Sequence, residues 1–187
     1  MSLLLNQDSV TREPSLVAQG LRCMAADAGF LRSSYPHFDD WFMSKVLPGI
    51  YTGERTLIIE ERGSAVVGLL ILKHTATEKK LCTLRVRPEF ESRGLGVRLF
   101  ETAFERLGTE RPLLSVSEST LPKFSRIFEH FGFAQAGAYQ GLYLPRIHEF
   151  SYNGLLDVKA RSLSQKPSHS RVAQGQIKSA VAVGLHY

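Results

Sequence analysis

Residues 81–108, LCTLRVRPEFESRGLGVRLFETAFERLG, change hydrophobic period once, and any fold for this chain must carry that change. Residues 81–87 alternate, with Cys82, Leu84 and Val86 on one face and Thr83, Arg85 and Arg87 on the other, which predicts a strand. Pro88 has no amide hydrogen to continue a ladder, so the strand stops there. From Gly94 onward, Leu95, Leu99, Phe100, Ala103, Phe104 and Leu107 fall on one helical face, opposite Arg98, Glu101, Thr102, Glu105 and Arg106. Gly108 stands where a helix end takes a left-handed residue. The turn between strand and helix is Glu91-Ser92-Arg93-Gly94-Leu95-Gly96. Two glycines at a helix start let a ligand approach the backbone. The first helical amides have no partner within the helix and point outward at the positive end of its dipole, which suits a phosphate. The same glycines would also serve simply to shape a turn.

At these residues the chain resembles the GNAT family of acetyl-CoA-dependent N-acetyltransferases. That family's central motif is a strand ending near V-x-P, then (Q/R)-x-x-G-x-(G/A) opening a helix; here the matching residues are Val86-Arg87-Pro88 and Glu91 to Gly96. The resemblance implies that Leu84, Arg85 and Val86 offer backbone groups to the pantetheine arm of acetyl-CoA. It implies that Ser92, Arg93, Gly94, Leu95, Gly96 and Val97 wrap the pyrophosphate, with Arg93 and Arg98 supplying positive charge. Glu91 departs from the pattern, and because a carboxylate repels a pyrophosphate it is expected to point to solvent. A second family-like piece covers residues 121–133, where Leu121, Phe124, Ile127, Phe128 and Phe131 share a helix face that ends at Gly132. Its close resembles the family's Y-x-x-x-G-F, in which the tyrosine protonates the leaving thiolate. Phe128 takes the tyrosine's place and has no proton to give.

The rest of the chain fits one such domain over residues 1–154. The fold class implied is α/β (α+β mixed): a central mixed, mostly antiparallel twisted sheet of six to seven strands, splayed at its centre, flanked by about four helices. Residues 3–5 begin an edge strand. Thr11 is expected to cap a helix carrying Leu16, Val17, Leu21, Met24 and Ala25. Residues 30–36 read as a loop, and a second helix groups Phe38, Trp41, Phe42 and Val46. That helix either faces the core or, with Tyr35, Phe38 and Trp41, lines an acceptor pocket, as the family's first helix pair does. Residues 56–60 and 65–72 form a hairpin whose second strand is apolar throughout and therefore central. Residues 112–117 give another strand, and 133–143 and 147–152 two closing strands that could pair across a homodimer.

Charge narrows the partners. The net charge of +5 arises in residues 158–187, which hold five basic residues and no acidic one; the 18 remaining Lys and Arg balance all 18 Asp and Glu. A flexible basic extension over residues 155–187 is therefore expected, and nucleic acid is a less favoured partner because only Tyr187 could stack a base there. Cys23 and Cys82 are too few for a disulfide framework or zinc site and read as buried free thiols in a reducing compartment. The N-terminus has no basic region or long apolar run, so no signal peptide and no membrane span is expected, and a cytoplasmic location follows.

Acetyl transfer to an amine needs a held thioester, a polarised carbonyl and an amine stripped of a proton. No metal is expected. Where the family often places a carboxylate early in the central strand, this chain has Lys79 and Lys80. Glu60 and Glu61 end the neighbouring strand and are candidate bases, or merely surface hairpin residues. Glu118 is expected to cap the following helix. Tyr143, with Tyr139 behind it, is the candidate acid, or a rim tyrosine; His130 and His148 read as structural. The expected activity is transfer of an acetyl group from acetyl-CoA to a small-molecule or peptide amine by direct attack, releasing coenzyme A. The alternative is an acyl-CoA-binding module without turnover.

Overall fold

Strand β1 (Ser2–Leu5) lies at the edge of a four-stranded antiparallel sheet, followed across it by β2 (Arg55–Arg62), β3 (Ala65–His74) and β4 (Lys79–Val86). A second antiparallel sheet has the order β5 (Leu114–Ser117), β7 (His148–Tyr152), β6 (Gln135–Gln140). A computed structural model describes residues 2–26, 37–63 and 65–157. The chain divides into two units, Met1–Leu156 and Asp157–Tyr187. The predicted basic extension lies, beyond Asp157, outside the described residues, as do Tyr35 and the rest of the predicted loop at 30–36.

Helices bury both faces of the first sheet. On one side lie α1 (Gln7–Arg12), α2 (Ser15–Ala26), α3 (Phe38–Trp41), a π-helical turn (Phe42–Val46) and α4 (Leu47–Tyr51). Their apolar residues, including Val10, Phe38, Val46 and Ile50, pack with Leu57, Ile59, Leu69 and Ile71 in a first core. On the other side α5 (Leu95–Leu107) and α6 (Leu121–His130) cover Ile58, Leu70, Leu72, Leu81, Leu114, Val116 and Tyr152 in a second core. β3 contributes to both, which is why its sequence is apolar without alternation.

Three expectations are corrected. Thr11 caps nothing: it sits inside α1 and donates to the Gln7 carbonyl at 2.7 Å, while Asn6 caps that helix by accepting from the Ser9 amide at 2.8 Å. Thr11 cannot cap the helix of Leu16 to Ala25 because it is itself held in the last turn of the preceding helix, which Asn6 caps. The closing strands are shorter than predicted, ending at Gln140 and starting at His148, because Gly141 and Arg146 take left-handed backbone angles that no ladder admits. Both cysteines are half-buried rather than buried. Burial, then the hydrogen bond it donates to Glu61 at 3.3 Å, pushes the Cys23 thiol pKa up.

Around Phe100 (1% exposed) the second core becomes aromatic: Phe104, Phe128, Phe131 and Phe133 all place ring centres within 6.3 Å of it. Phe100→Ala should destabilise the protein by about 3–5 kcal/mol, the usual cost of emptying a ring from a packed core. Urea unfolding followed by circular dichroism checks this, and a loss below about 1 kcal/mol would mean that the cluster collapses into the void.

Candidate active site

The two sheets touch through one parallel bridge, Lys80 with Leu113. Leu81 donates its amide to the Leu113 carbonyl at 2.9 Å, and Leu113 donates to Lys79 at 3.0 Å. Beyond that point β4 and β5 run in the same direction without pairing. They diverge because β4 carries a bulge: its register against β3 steps from Leu81↔Leu72 to Thr83↔Ile71, leaving Cys82 extra. A bulge bends its strand and increases its twist. It also corrects the simple alternation expected for residues 81–87, since Cys82 packs toward the first core while Leu84 and Val86 pack toward the second.

The bulge resets which amides face the gap. Arg87 donates its amide to the Val67 carbonyl at 2.9 Å, so strand alternation sends the Arg85 amide the same way and turns those of Leu84 and Val86 toward β5. Between the strands lies a cleft of about 280 Å³. It is walled by residues 81–86 of β4 and 114–117 of β5, floored by Phe100, and closed on the α6 side by Thr120, Lys123, Phe124 and Phe128.

At the open end of β4 a 3-10 turn (Pro88–Phe90) leads into the glycine turn. Gly94 caps α5 with φ 78, a left-handed angle, and accepts the Arg98 amide at 3.1 Å. A Cβ built on Gly94 or Gly96 meets nothing within 4 Å. The space in front of the first turn of α5 is therefore open to a ligand, and the free amides there suit an anion. Cations gather beside it: the guanidinium groups of Arg62 and Arg93 lie 5.6 Å and 5.9 Å from the centre of the Phe90 ring.

Glu91 lines the cleft instead of pointing to solvent, and it pairs with Lys123 of α6 at 2.9 Å. The ammonium group offsets the charge that a carboxylate would otherwise present to a phosphate. Both side chains are well exposed, so the pair itself adds little stability.

The predicted acid and base groups scatter. Phe128 is buried against Tyr152, their ring centres 4.5 Å apart, and lines the cleft without a hydroxyl. Burial pushes the Tyr152 pKa up, so that phenol keeps its proton. Tyr143 lies half-buried in the turn between β6 and β7 and is not among the residues lining the cleft. The Tyr139 hydroxyl accepts the Leu156 amide at 2.8 Å, a structural bond. Glu60 faces α5 from β2, with β3 between it and β4, and accepts a hydrogen bond from Ser2. Glu118 does not cap α6: its carboxylate lies 3.1 Å from His148 Nδ1, tying the β5 end to β7. Lys79 donates to the Gly108 carbonyl at 3.4 Å, and Lys80 is buried at the closed end of the gap. Phe38 belongs to the first core, and Trp41 packs against that core beneath the Arg55 guanidinium. Neither lines the cleft. Among the described residues no group of three or more His, Cys, Asp or Glu could hold a metal ion.

The sequence reading passed over one acidic residue. Glu149 is 3% exposed and directly opposite Ser117, a cleft residue. Its signal was the alternation in His148-Glu149-Phe150-Ser151-Tyr152, where Phe150 and Tyr152 face the second core and the intervening residues face away.

Residues 37–141, more than half of the chain, match the family described as an acetyltransferase (GNAT) domain. No curated protein matches the chain. Among solved structures, an aminoglycoside 6'-N-acetyltransferase complexed with coenzyme A is similar at 16% identity and a TM-score of 0.50, covering 66% of this chain and 85% of that one. A GNAT-family protein from Desulfovibrio desulfuricans is 16% identical with a TM-score of 0.47, covering 62% and 73%. Nourseothricin acetyltransferase is 17% identical with a TM-score of 0.44 over 52% of this chain and 62% of its own. The first of these shares the mixed fold described above.

Three substitutions test the cleft. Gly96→Asp fills the open space and adds a charge there, and should abolish acetyl-CoA binding in a calorimetric titration while leaving the fold intact. Lys123→Ala leaves Glu91 uncompensated and should weaken acetyl-CoA binding about 3- to 10-fold, the scale of a half-exposed ionic contact. Adding Glu91→Gln should restore it.

Proposed function

The chain belongs to the GNAT acetyltransferase family, and from that premise we propose that it moves an acetyl group from acetyl-CoA to a primary amine by direct attack. The observation that carries this reading is a cleft along the unpaired edge of β4 that reaches Glu91, where the turn to the open glycines of α5 begins. A thioester with a phosphorylated tail has the matching shape. The residues fit that group: the amides of Gly94 to Val97 are available to its diphosphate, and the gap-facing amides of Leu84 and Val86 to its amide-rich arm.

In this mechanism β4 does most of the work with backbone. Fixed amide donors aimed at a carbonyl oxygen stabilise the negative charge that develops there, and such a donor is worth about 10²–10³ in rate. The strand also holds the thioester in line for the amine, which removes much of the entropic barrier. Phe128 lines the cleft without a hydroxyl and could not protonate a leaving thiolate, which would take its proton from the attacking nitrogen. The acceptor is a small-molecule or peptide amine. Among the described residues no helix is long and apolar enough to cross a membrane.

A second reading has its own support. With Phe128 in the acid's position and Lys79 and Lys80 at the start of β4, the domain could bind acyl-CoA without turning it over. Mass spectrometry of the purified protein should detect bound coenzyme A or acetyl-CoA, and thiol release should then rise with at least one amine in a panel. Bound cofactor without amine-dependent thiol release would favour the binding module. Tyr143→Phe should change the transfer rate less than about twofold, since the hydroxyl lies outside the cleft wall and general acid catalysis by a positioned group contributes about 10²–10⁴-fold. A loss of that larger size would restore Tyr143 as the acid.

A further inference from the structure

Leu84 and Val86 of β4, Leu114 and Val116 of β5, and Phe150 and Tyr152 of β7 all pack toward α5 and α6. Alternation therefore turns Thr83 and Arg85, Ser115 and Ser117, and Glu149 and Ser151 to the opposite side of the two sheets. That side is unusually polar for buried β-structure. Thr83 is 8% exposed, Ser117 8%, Glu149 3% and Ser151 0%. Ser151 Oγ is buried without a hydrogen-bond partner among the described residues, so the surface is not a closed network.

Glu149 has the most consequential place in this group. Because β4 and β5 run parallel, the end of β5 at Ser117 lies at the open end of the gap, while Ser115 lies nearer the Lys80–Leu113 bridge. Ser117 lines the cleft and bonds Thr120 Oγ1 at 2.8 Å, and Thr120 lines the cleft as well. Directly opposite residues of antiparallel strands hold their Cβ atoms about 4.5–5.5 Å apart. Glu149 does not itself line the cleft, but its Cβ stands beside that of Ser117, which does. The gap-facing amides of β4 approach the same end from the other wall.

We infer that Glu149 is the catalytic base, and the anionic anchor for the acceptor's ammonium group; this rests on the acetyl-transfer reading above. The ammonium gives one proton to a Glu149 carboxylate oxygen. The freed nitrogen lone pair forms the C–N bond to the acetyl carbon, and the C–S bond breaks with its electron pair on sulfur. The second proton shed by nitrogen passes to that thiolate. One ammonium and one thioester become one amide and one thiol, and the proton on Glu149 returns to water. The site selects a cation, because a buried carboxylate gives a neutral or anionic acceptor nothing in exchange for its lost hydration. Among the described residues, the ionisable groups on Glu149's side of the sheets include Lys80, Cys82 and Arg85 of β4, Arg55 of β2, which donates to Cys82, and Tyr139 of β6, its register partner. His148, next to it in sequence, is on the other face with Phe150.

Glu149→Gln keeps the shape and removes the proton acceptor. Thiol release from acetyl-CoA is measured with spermidine, kanamycin and an alanyl peptide as acceptors. The substitution should lower kcat/KM for the amine at least 30-fold, leave the KM for acetyl-CoA and the melting temperature unchanged, and remove the fall in rate toward acid pH. Glu149→Asp should recover part of the rate. Should the parent protein release no thiol with any of these amines, the coenzyme A-saturated protein is titrated with the same three by calorimetry. An affinity at least tenfold weaker in Glu149→Gln then upholds the anchor while acetyl transfer falls. Equal rates, equal affinities, or no binding of any of the three amines to the coenzyme A-loaded parent overturns the inference.

Discussion

One hydrogen-bonded bridge, Lys80 to Leu113, decides what this molecule can do. Two antiparallel sheets approach closely enough to share a core, yet among the described residues they exchange amide bonds only there. Had β4 and β5 stayed in register, their facing edges would have satisfied each other and left no room between them. Because β4 bulges at Cys82, its next amides face a space that β5 does not fill. Buried amides without partners are costly, and the state is tolerable because the cleft is open to solvent or ligand. The unpaired edge is at once a defect in the sheet and, on the proposed reading, the part that meets an amide-rich substrate.

The second core is what holds the gap at a fixed width. Leu84 and Val86 on one lip, and Leu114 and Val116 on the other, are anchored to the same aromatic group around Phe100 and Phe128. The lips cannot close without displacing rings packed at crystalline density. This also explains how Phe128 can occupy a position where the family resemblance leads one to expect a tyrosine. It stacks near Phe124 and crosses Phe100 nearly at a right angle, so the position retains its packing role when the hydroxyl is lost. What is lost is a hydroxyl, and in the proposed mechanism the attacking nitrogen supplies the proton in its place.

Local patterns carried most of the fold. The strand, proline, glycine turn and amphipathic helix of residues 81–108 are each set by neighbours in sequence, and α5 begins and ends at the glycines that its periodicity implies. The apolar run of β3 marked a central strand for the same reason. Failures came where distant residues decide. Nothing near Cys82 announces a bulge, which depends on how β3 twists against β4. Glu91 looked repulsive in isolation, and only the fold brings Lys123 of α6 to it. Glu118 resembled a helix cap until β7 delivered His148 to its carboxylate. Glu60 looked close to the central strand in sequence, yet β3 lies between them.

Glu149, the proposed base, shows why a catalytic group is harder to read than a cofactor cradle. A cradle for phosphate is built from consecutive backbone amides, so its signature is contiguous and survives in a single chain. A base must meet a substrate atom, and any of several strands can supply it from across the gap. In this chain the beginning of β4 is occupied by lysines, one of them buried, and a carboxylate there would form an ion pair instead of accepting a proton. β7 offers the other route to the same space, because it is hydrogen-bonded to β5 and its polar residues emerge on the face away from α5 and α6. In the proposed mechanism the two sheets thus divide the labour: β4 supplies fixed donors for the carbonyl, while the strand behind β5 supplies charge for the amine.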